Sequence, residues 1–117
     1  KKKNNKIKLH LIGKLQTNKV KFAVKLFDYI HSLDSEKLAK KIASFENKNL
    51  KIFIQVNIGD EHQKSGINAN DLLEFYNYCK KLGLNIIGLM CIPPLDGDTK
   101  IYFKKMLELK KNMVSMN

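Results

Sequence analysis

Arginine is missing from this sequence: all 22 basic side chains among its 117 residues are lysine. With 11 acidic residues against them, the formal charge is +11. Nucleic-acid surfaces lean on arginine for bidentate contacts to guanine and phosphate, and they group their cations with aromatic residues. Here lysine is spread along the whole chain and its one run is the start, Lys1-Lys2-Lys3. That pattern reads as a solvated lysine-rich surface and speaks against nucleic acid as a partner. Cysteine is scarce as well. Cys79 and Cys91 are too few for a disulfide framework, and neither has a second Cys or a His at a zinc-ligand spacing. Both fall in apolar periodic segments, so buried free thiols in a reducing cytoplasm are expected. No apolar run reaches the ~18–20 residues that cross a bilayer, so no membrane partner is expected. The start also lacks the apolar stretch and cleavage site of a secretory signal. Neither G-x-G-x-x-G nor G-x-x-x-x-G-K-[ST] occurs, which weakens dinucleotide and nucleotide readings.

What is present is globular in composition, 44% hydrophobic and 28% charged, which excludes a chain disordered by composition. The length suits one domain, and residues 1–117 are taken as a single α/β domain. Lys8 to Gly13 reads as a short strand. From Thr17, Val20, Ala23 or Val24, Phe27 and Ile30 recur at helical spacing, with Thr17 or Asn18 as the cap. Tyr29 to Leu33 reads as a second strand, and Ser35 opens a helix through about Phe45. The clearest strand is Leu50 to Ile58, where Leu50, Ile52, Ile54, Val56 and Ile58 alternate with Lys51, Phe53, Gln55 and Asn57. Gly59 to Gly66 is a polar loop. Asp71 with Glu74 forms a capping-box-like start to a helix ending at Gly83. Leu84 to Ile92 is a fourth strand, and a last helix runs from about Asp98 to Met113. The order is strand then helix, four times over. Such units pair their strands in parallel with helices outside. They fit a doubly wound sheet or part of a (β/α)8 barrel, which needs about 250 residues for its eight units.

In either architecture ligands sit beyond the carboxyl ends of the strands. The aliphatic face of strand 50–58 is expected to pack on helices. Its other face then looks into the barrel with Asn57 near the mouth, where an amide hydrogen-bonds either a ligand or neighbouring backbone. His10 and His31 lie on strands and His62 on a loop, none beside a nucleophile at a motif spacing. His10, near a strand's carboxyl end, is the better site candidate of the three. Asp60, Glu61 and His62 are adjacent in a loop and do not converge on a metal. Lys64-Ser65-Gly66 either cradles an anion or turns the chain.

Four blocks carry a resemblance: Leu9 to Lys19, Ile30 to Ser35, Gln55-Val56-Asn57-Ile58 with Lys64-Ser65-Gly66-Ile67, and Gly88 to Pro93. In order and spacing they resemble the pyridoxal 5′-phosphate homeostasis protein family (YggS/PROSC-like), over roughly residues 8–95. The resemblance implies a barrel like the N-terminal domain of alanine racemase. It also implies pyridoxal 5′-phosphate as cofactor and a role in buffering or delivering it. By that match His10, Ser32, Asn57 and Met90 line the cofactor side of the pocket. The family's Schiff-base lysine segment, resembling A-V-S-K, and its F-G-E-N-Y segment do not occur here. Nor do the phosphate-binding segments resembling S-M-G-M-S and V-R-I-G-T. The chain therefore reads as four successive βα units, approximately strands three to six of the barrel, and as a piece of something longer.

No covalent cofactor, and no racemase or transaminase activity, is expected of the supplied chain. The alternative is a fold-type III racemase-like enzyme whose catalytic lysine lies on the missing part. Four strands leave two open edges, so self-association that covers them is a further expectation.

Overall fold

The computed structural model describes residues 7–47, 49–58, 66–92 and 99–115. Five strands and four helices follow one another as β1 (His10–Leu11), α1 (Val20–Leu26), β2 (Tyr29–Leu33), α2 (Glu36–Ala43), β3 (Lys51–Asn57), β4 (Ile67–Asn68), α3 (Leu72–Lys81), β5 (Asn85–Cys91) and α4 (Thr99–Ser115). Every strand pairing is parallel: β1 with β2, β2 with β3, and β3 with both β4 and β5. The four expected βα units are present, and β4 is an addition to them.

β3 organises the sheet. Its aliphatic side chains Ile52, Ile54 and Val56 are at most 2% exposed, while Lys51, Phe53, Gln55 and Asn57 on the opposite face are half-buried. The buried set forms one core with Ile30 and Leu33 of β2, Val20 and Val24 of α1, Leu38 and Ile42 of α2, and Leu72, Phe75 and Cys79 of α3. An alternation of period two puts one aliphatic face toward the core and leaves the polar face as the inner surface of the sheet. β5 takes one edge of β3 as far as Val56. β2 takes the other edge only as far as Ile54, which Leu33 faces. β4 enters on that vacated edge, with Ile67 beside Val56 and Asn68 beside Asn57.

Local chemistry sets the helix ends, in places differently from expectation. Ser35 caps α2 through its hydroxyl, which accepts from Leu38 N–H at 3.1 Å, with Glu36 in the first turn. This satisfies an orphan donor and complements the helix dipole. At α3 the Gly83 N–H donates to Lys80 O and the Leu84 N–H to Cys79 O, with Gly83 at φ +84°. That pair of bonds is a Schellman ending, which needs a residue at ease in the left-handed region. Thr17 and Asn18 do not cap α1. They belong to a 3-10 turn over Thr17–Lys19, where Lys19 N–H finds Gln16 O at 2.9 Å, so tighter backbone bonds replace a side-chain cap. Asp71 likewise makes no cap hydrogen bond to α3. The side chain of Asn68 accepts from Asn70 N–H at 2.9 Å, one turn earlier.

Candidate functional site

The inner face is read off the strand register, because residues paired across parallel strands point the same way. His10 stands beside Tyr29, and Tyr29 beside Lys51. On β5, Gly88 stands beside Phe53 and Met90 beside Gln55. The pairing slips by one residue between Ile30 and Leu33 on β2, and again after Ile52 where β5 carries Ile87 as an extra residue. Such bulges re-aim the residues that follow them.

The amino-terminal half of this face is a layer of stacked rings. His10 lies flat on Tyr29, with centroids 4.1 Å apart and planes 2° from parallel. His31 lies flat on Phe53 at 4.3 Å and 8°. Between the two stacks, His10 Nδ1 and His31 Nε2 are 2.9 Å apart. Burial, helped by the charge of His10, holds the His31 imidazole below the ordinary histidine value. The Lys51 ammonium sits 5.3 Å from the centre of the Tyr29 ring, in cation–π range. Gly88 makes room for Phe53: a Cβ there would lie 2.7 Å from Cε2 and 2.9 Å from Cδ2 of that ring.

The carboxyl-terminal half is polar. Gln55, Asn57 and Asn68 share it with the Met90 thioether. Ser32, at the β2 bulge, is 2% exposed, and its hydroxyl has no hydrogen-bond partner among the described residues. Just beyond β2, burial pushes the Asp34 carboxyl above the ordinary aspartate range. The Lys14 charge and the backbone N–H groups of Gly66 and of Asp34 itself pull the other way.

The four expected site residues thus fall into two places. Asn57 and Met90 come together at the mouth, and Ser32 stands next to Leu33, where β2 ends. His10 belongs to the ring layer instead, in register with Lys51, six residues or about 20 Å of strand before Asn57. The pairing of His31 with His10 is not marked in the sequence; only the register of parallel strands reveals it. His62, Asp60, Glu61, Lys64 and Ser65 lie outside the described residues. No group of three metal-ligating side chains occurs among the described residues, and no helix among them is long and apolar enough to cross a membrane. Cys79 and Cys91 are free thiols, and burial pushes Cys79 up to about 12. An apolar cavity of about 590 Å³ lies between β5 and α4, lined by Ile87, Leu89, Phe103 and Leu107 with Lys110 at its side. It offers few polar groups to a polar ligand.

A parallel sheet of βα units, helices on its aliphatic face and a polar mouth at the strands' carboxyl ends, defines this as part of a (β/α)8 barrel of the alanine racemase N-terminal kind. The match to alanine racemase, N-terminal domain, covers residues 2–115, and the chain belongs to that family, within its pyridoxal phosphate homeostasis branch. Pyridoxal phosphate homeostasis proteins are similar to it from Aquifex aeolicus (39% identity over 111 residues, 89% of this chain and 49% of the relative) and from Helicobacter pylori strain 26695 (40% over 110 residues, 87% and 49%). The one from Escherichia coli K12 is 36% identical over 93 residues, 76% of this chain and 40% of the relative. The chain spans about half the length of the curated relatives it matches. Among solved structures, PipY of Synechococcus elongatus PCC7942 without PLP superimposes with a TM-score of 0.85 at 30% identity, over 97% of this chain and 56% of that one. PipY with PLP bound gives 0.71 at 31%, over 92% and 54%. An alanine racemase of Clostridium difficile 630 shares the fold, with a TM-score of 0.63 at 17% identity.

Proposed function

We propose that this chain supplies the middle of a pyridoxal 5′-phosphate-binding barrel that serves cofactor homeostasis, with Asn57, Met90 and Ser32 on the cofactor side of its mouth. The observation that carries this reading is the placement of Asn57 and Met90 on one inner face, at the carboxyl ends of adjacent parallel strands. The donor set suits one side of the cofactor. The Met90 thioether offers a soft apolar contact to a flat ring. The Asn57 amide offers both a donor and an acceptor. The Ser32 hydroxyl is buried without a partner among the described residues, a state that ordinarily signals a group awaiting one. When bound, the cofactor supplies an aldehyde and a phosphate, and these residues orient and shelter it. Lysine attachment and phosphate binding are not assigned to any residue of this chain. His10 serves from below, as part of the ring layer that floors the mouth.

PipY, solved with PLP bound, supports the cofactor, and the curated relatives' names support the homeostatic role. The racemase-like alternative draws on the family match, which names the domain and not a reaction, and on likeness of fold at 17% identity. Free cysteines suit a cytoplasmic setting. Among the described residues β1 and β5 each pair on one side only, which supports self-association as a further proposal; a single-chain mass by light scattering, with cooperative unfolding, would overturn that part. The function is tested by titrating the chain with pyridoxal 5′-phosphate and following the cofactor's absorbance. Saturable binding weakened about tenfold or more by Asn57→Ala, the loss of a well-made hydrogen bond, is the expected result. Unchanged binding in both Asn57→Ala and Met90→Ala would remove the assignment.

A further inference from the structure

The ring layer holds two imidazole nitrogens in a fixed relation, well away from the mouth. His10 Nδ1 and His31 Nε2 are 2.9 Å apart. The two residues come from adjacent parallel strands, β1 and β2. Each ring lies flat on its own neighbour, His10 on Tyr29 at 4.1 Å and His31 on Phe53 at 4.3 Å. A ring held in this way loses little rotamer freedom when it takes a ligand. His10 is exposed and His31 half-buried, so solvent reaches the pair. Neutral imidazole is the commonest metal ligand. Burial, with the charge of His10, favours that form of His31 at neutral pH.

The separation selects the kind of ion. With metal–nitrogen bonds of about 2.0–2.1 Å, ligands at neighbouring corners of a square lie about 2.8–3.0 Å apart, and at corners of a tetrahedron about 3.3–3.4 Å. Tetragonal coordination by nitrogen and oxygen is the habit of Cu(II) and Ni(II), and Cu(II) leads in affinity. We propose that His10 and His31 form a two-histidine site for a tetragonal divalent ion, Cu(II) foremost, which bridges the edge strand β1 to β2. A coordinate bond forms from the lone pair of each nitrogen. The proton that one of them donates leaves to solvent, and the other nitrogen of the same ring takes one up. Both imidazoles stay neutral and no electron moves. Turning within its own plane aims each lone pair at the ion without leaving the stack. No third His, Cys, Asp or Glu joins them among the described residues, so water fills the remaining corners. The Lys51 ammonium, 5.3 Å from the centre of the Tyr29 ring, is a cation on the same face and opposes the ion's charge. The site lies in the ring layer, apart from Asn57 and Met90, and does not depend on the function proposed above.

The test titrates the whole chain with Cu(II), in buffer free of chelators and thiols, and follows the copper paramagnetic resonance and the urea midpoint. The expected result is one ion per chain with a tetragonal signal split by nitrogen. The urea midpoint should rise with Cu(II) concentration, as binding to the folded form requires. His10→Phe and His31→Phe, which keep an aromatic ring in each stack, should each weaken binding about tenfold or more, since even groups that only support a metal ligand count for that much. His62→Ala and Cys91→Ser, which remove candidate ligands elsewhere in the chain, should leave it unchanged. No saturable binding, full affinity in either phenylalanine variant, or loss in either control would overturn the site. A tetrahedral signal would overturn the choice of ion. Where a variant does not fold, the wild type decides. The ring resonances of His10 and His31 should broaden before that of His62 as Cu(II) is added, and the reverse order would overturn the assignment.

Discussion

His10 and His31 meet nitrogen to nitrogen, 2.9 Å apart, each with its ring flat against an aromatic neighbour on its own side. One of the two nitrogens donates a proton and the other accepts it. The edge strand β1 is tied to β2 by this contact and by the Leu9 N–H, which donates to the Asp28 carboxylate at 2.9 Å.

The stability consequence has a definite sign. His31 is held below 6.5, first by burial and second by the charge of His10, so the unfolded chain takes its proton at a higher pH than the folded one. Stability attributable to His31 is unaffected above that value and falls as pH drops below about 6.5 toward the lowered folded value. Urea midpoints measured from pH 7.5 to 5 should decline more steeply in the wild type than in His31→Phe, which keeps the stack on Phe53. Equal slopes would contradict the account. His10→Phe should raise the titration of His31 only in part, because burial, the larger cause, remains.

Gly88 is the space into which Phe53 lies. Gly88→Ala forces the ring off His31 or pushes the strands apart, and overpacking of this kind costs about 1–3 kcal/mol. The measurement is the urea midpoint at unchanged m-value, compared with Gly88→Ala made together with Phe53→Leu. Most of the penalty should vanish in the double variant. Strictly additive effects would mean that the clash is not with Phe53.

Much of this architecture is legible in the sequence, for particular reasons. β3 announces itself because nine residues, 50–58, alternate without a break, and the face of five aliphatic residues then fixes which side looks inward. Ser35 and Gly83 mark helix ends because their chemistry admits few other uses. β4 is not legible: two residues carry no period, and Ile67-Asn68 becomes a strand only because β2 stops short and leaves an edge of β3 open. The bulges in β2 and β5 are hidden for the same reason, since a one-residue slip belongs to the pairing and not to either strand alone. Asn57 and Met90 can be placed at the mouth from alternation and strand ends. The descent of His10 to the ring layer, and its partnership with His31, depend on the β1–β2 register, which a two-residue strand does not encode.

Ser32 separates a structural from a ligand-binding role. Its hydroxyl is buried and has no partner among the described residues, so replacing it removes an unsatisfied group. Ser32→Ala should leave the cofactor-free chain as stable as the wild type or more so, by up to about 1 kcal/mol. The same substitution should weaken pyridoxal 5′-phosphate binding. A clear loss of stability without cofactor would show that the hydroxyl has a structural partner instead.

The two thiols differ in access. Cys79 is fully buried, with its thiol pushed up to about 12, and Cys91 is half-buried with a smaller upward push from the same cause. At pH 8 a disulfide reagent should modify Cys91 slowly and Cys79 only as the chain unfolds. Rapid modification of both in native buffer would contradict the packing of α3 on the sheet.

The most direct test of the central claim combines a pyridoxal 5′-phosphate titration, followed by backbone amide resonances, with borohydride reduction and mass mapping of the same sample. The account predicts saturable shifts centred on Asn57, Met90 and the residues around Ser32 and Gly66, with no single lysine of the 22 modified stoichiometrically. One lysine labelled to completion would place the covalent anchor on this chain after all. Shifts confined to scattered surface lysines would mean that the mouth does not receive the cofactor.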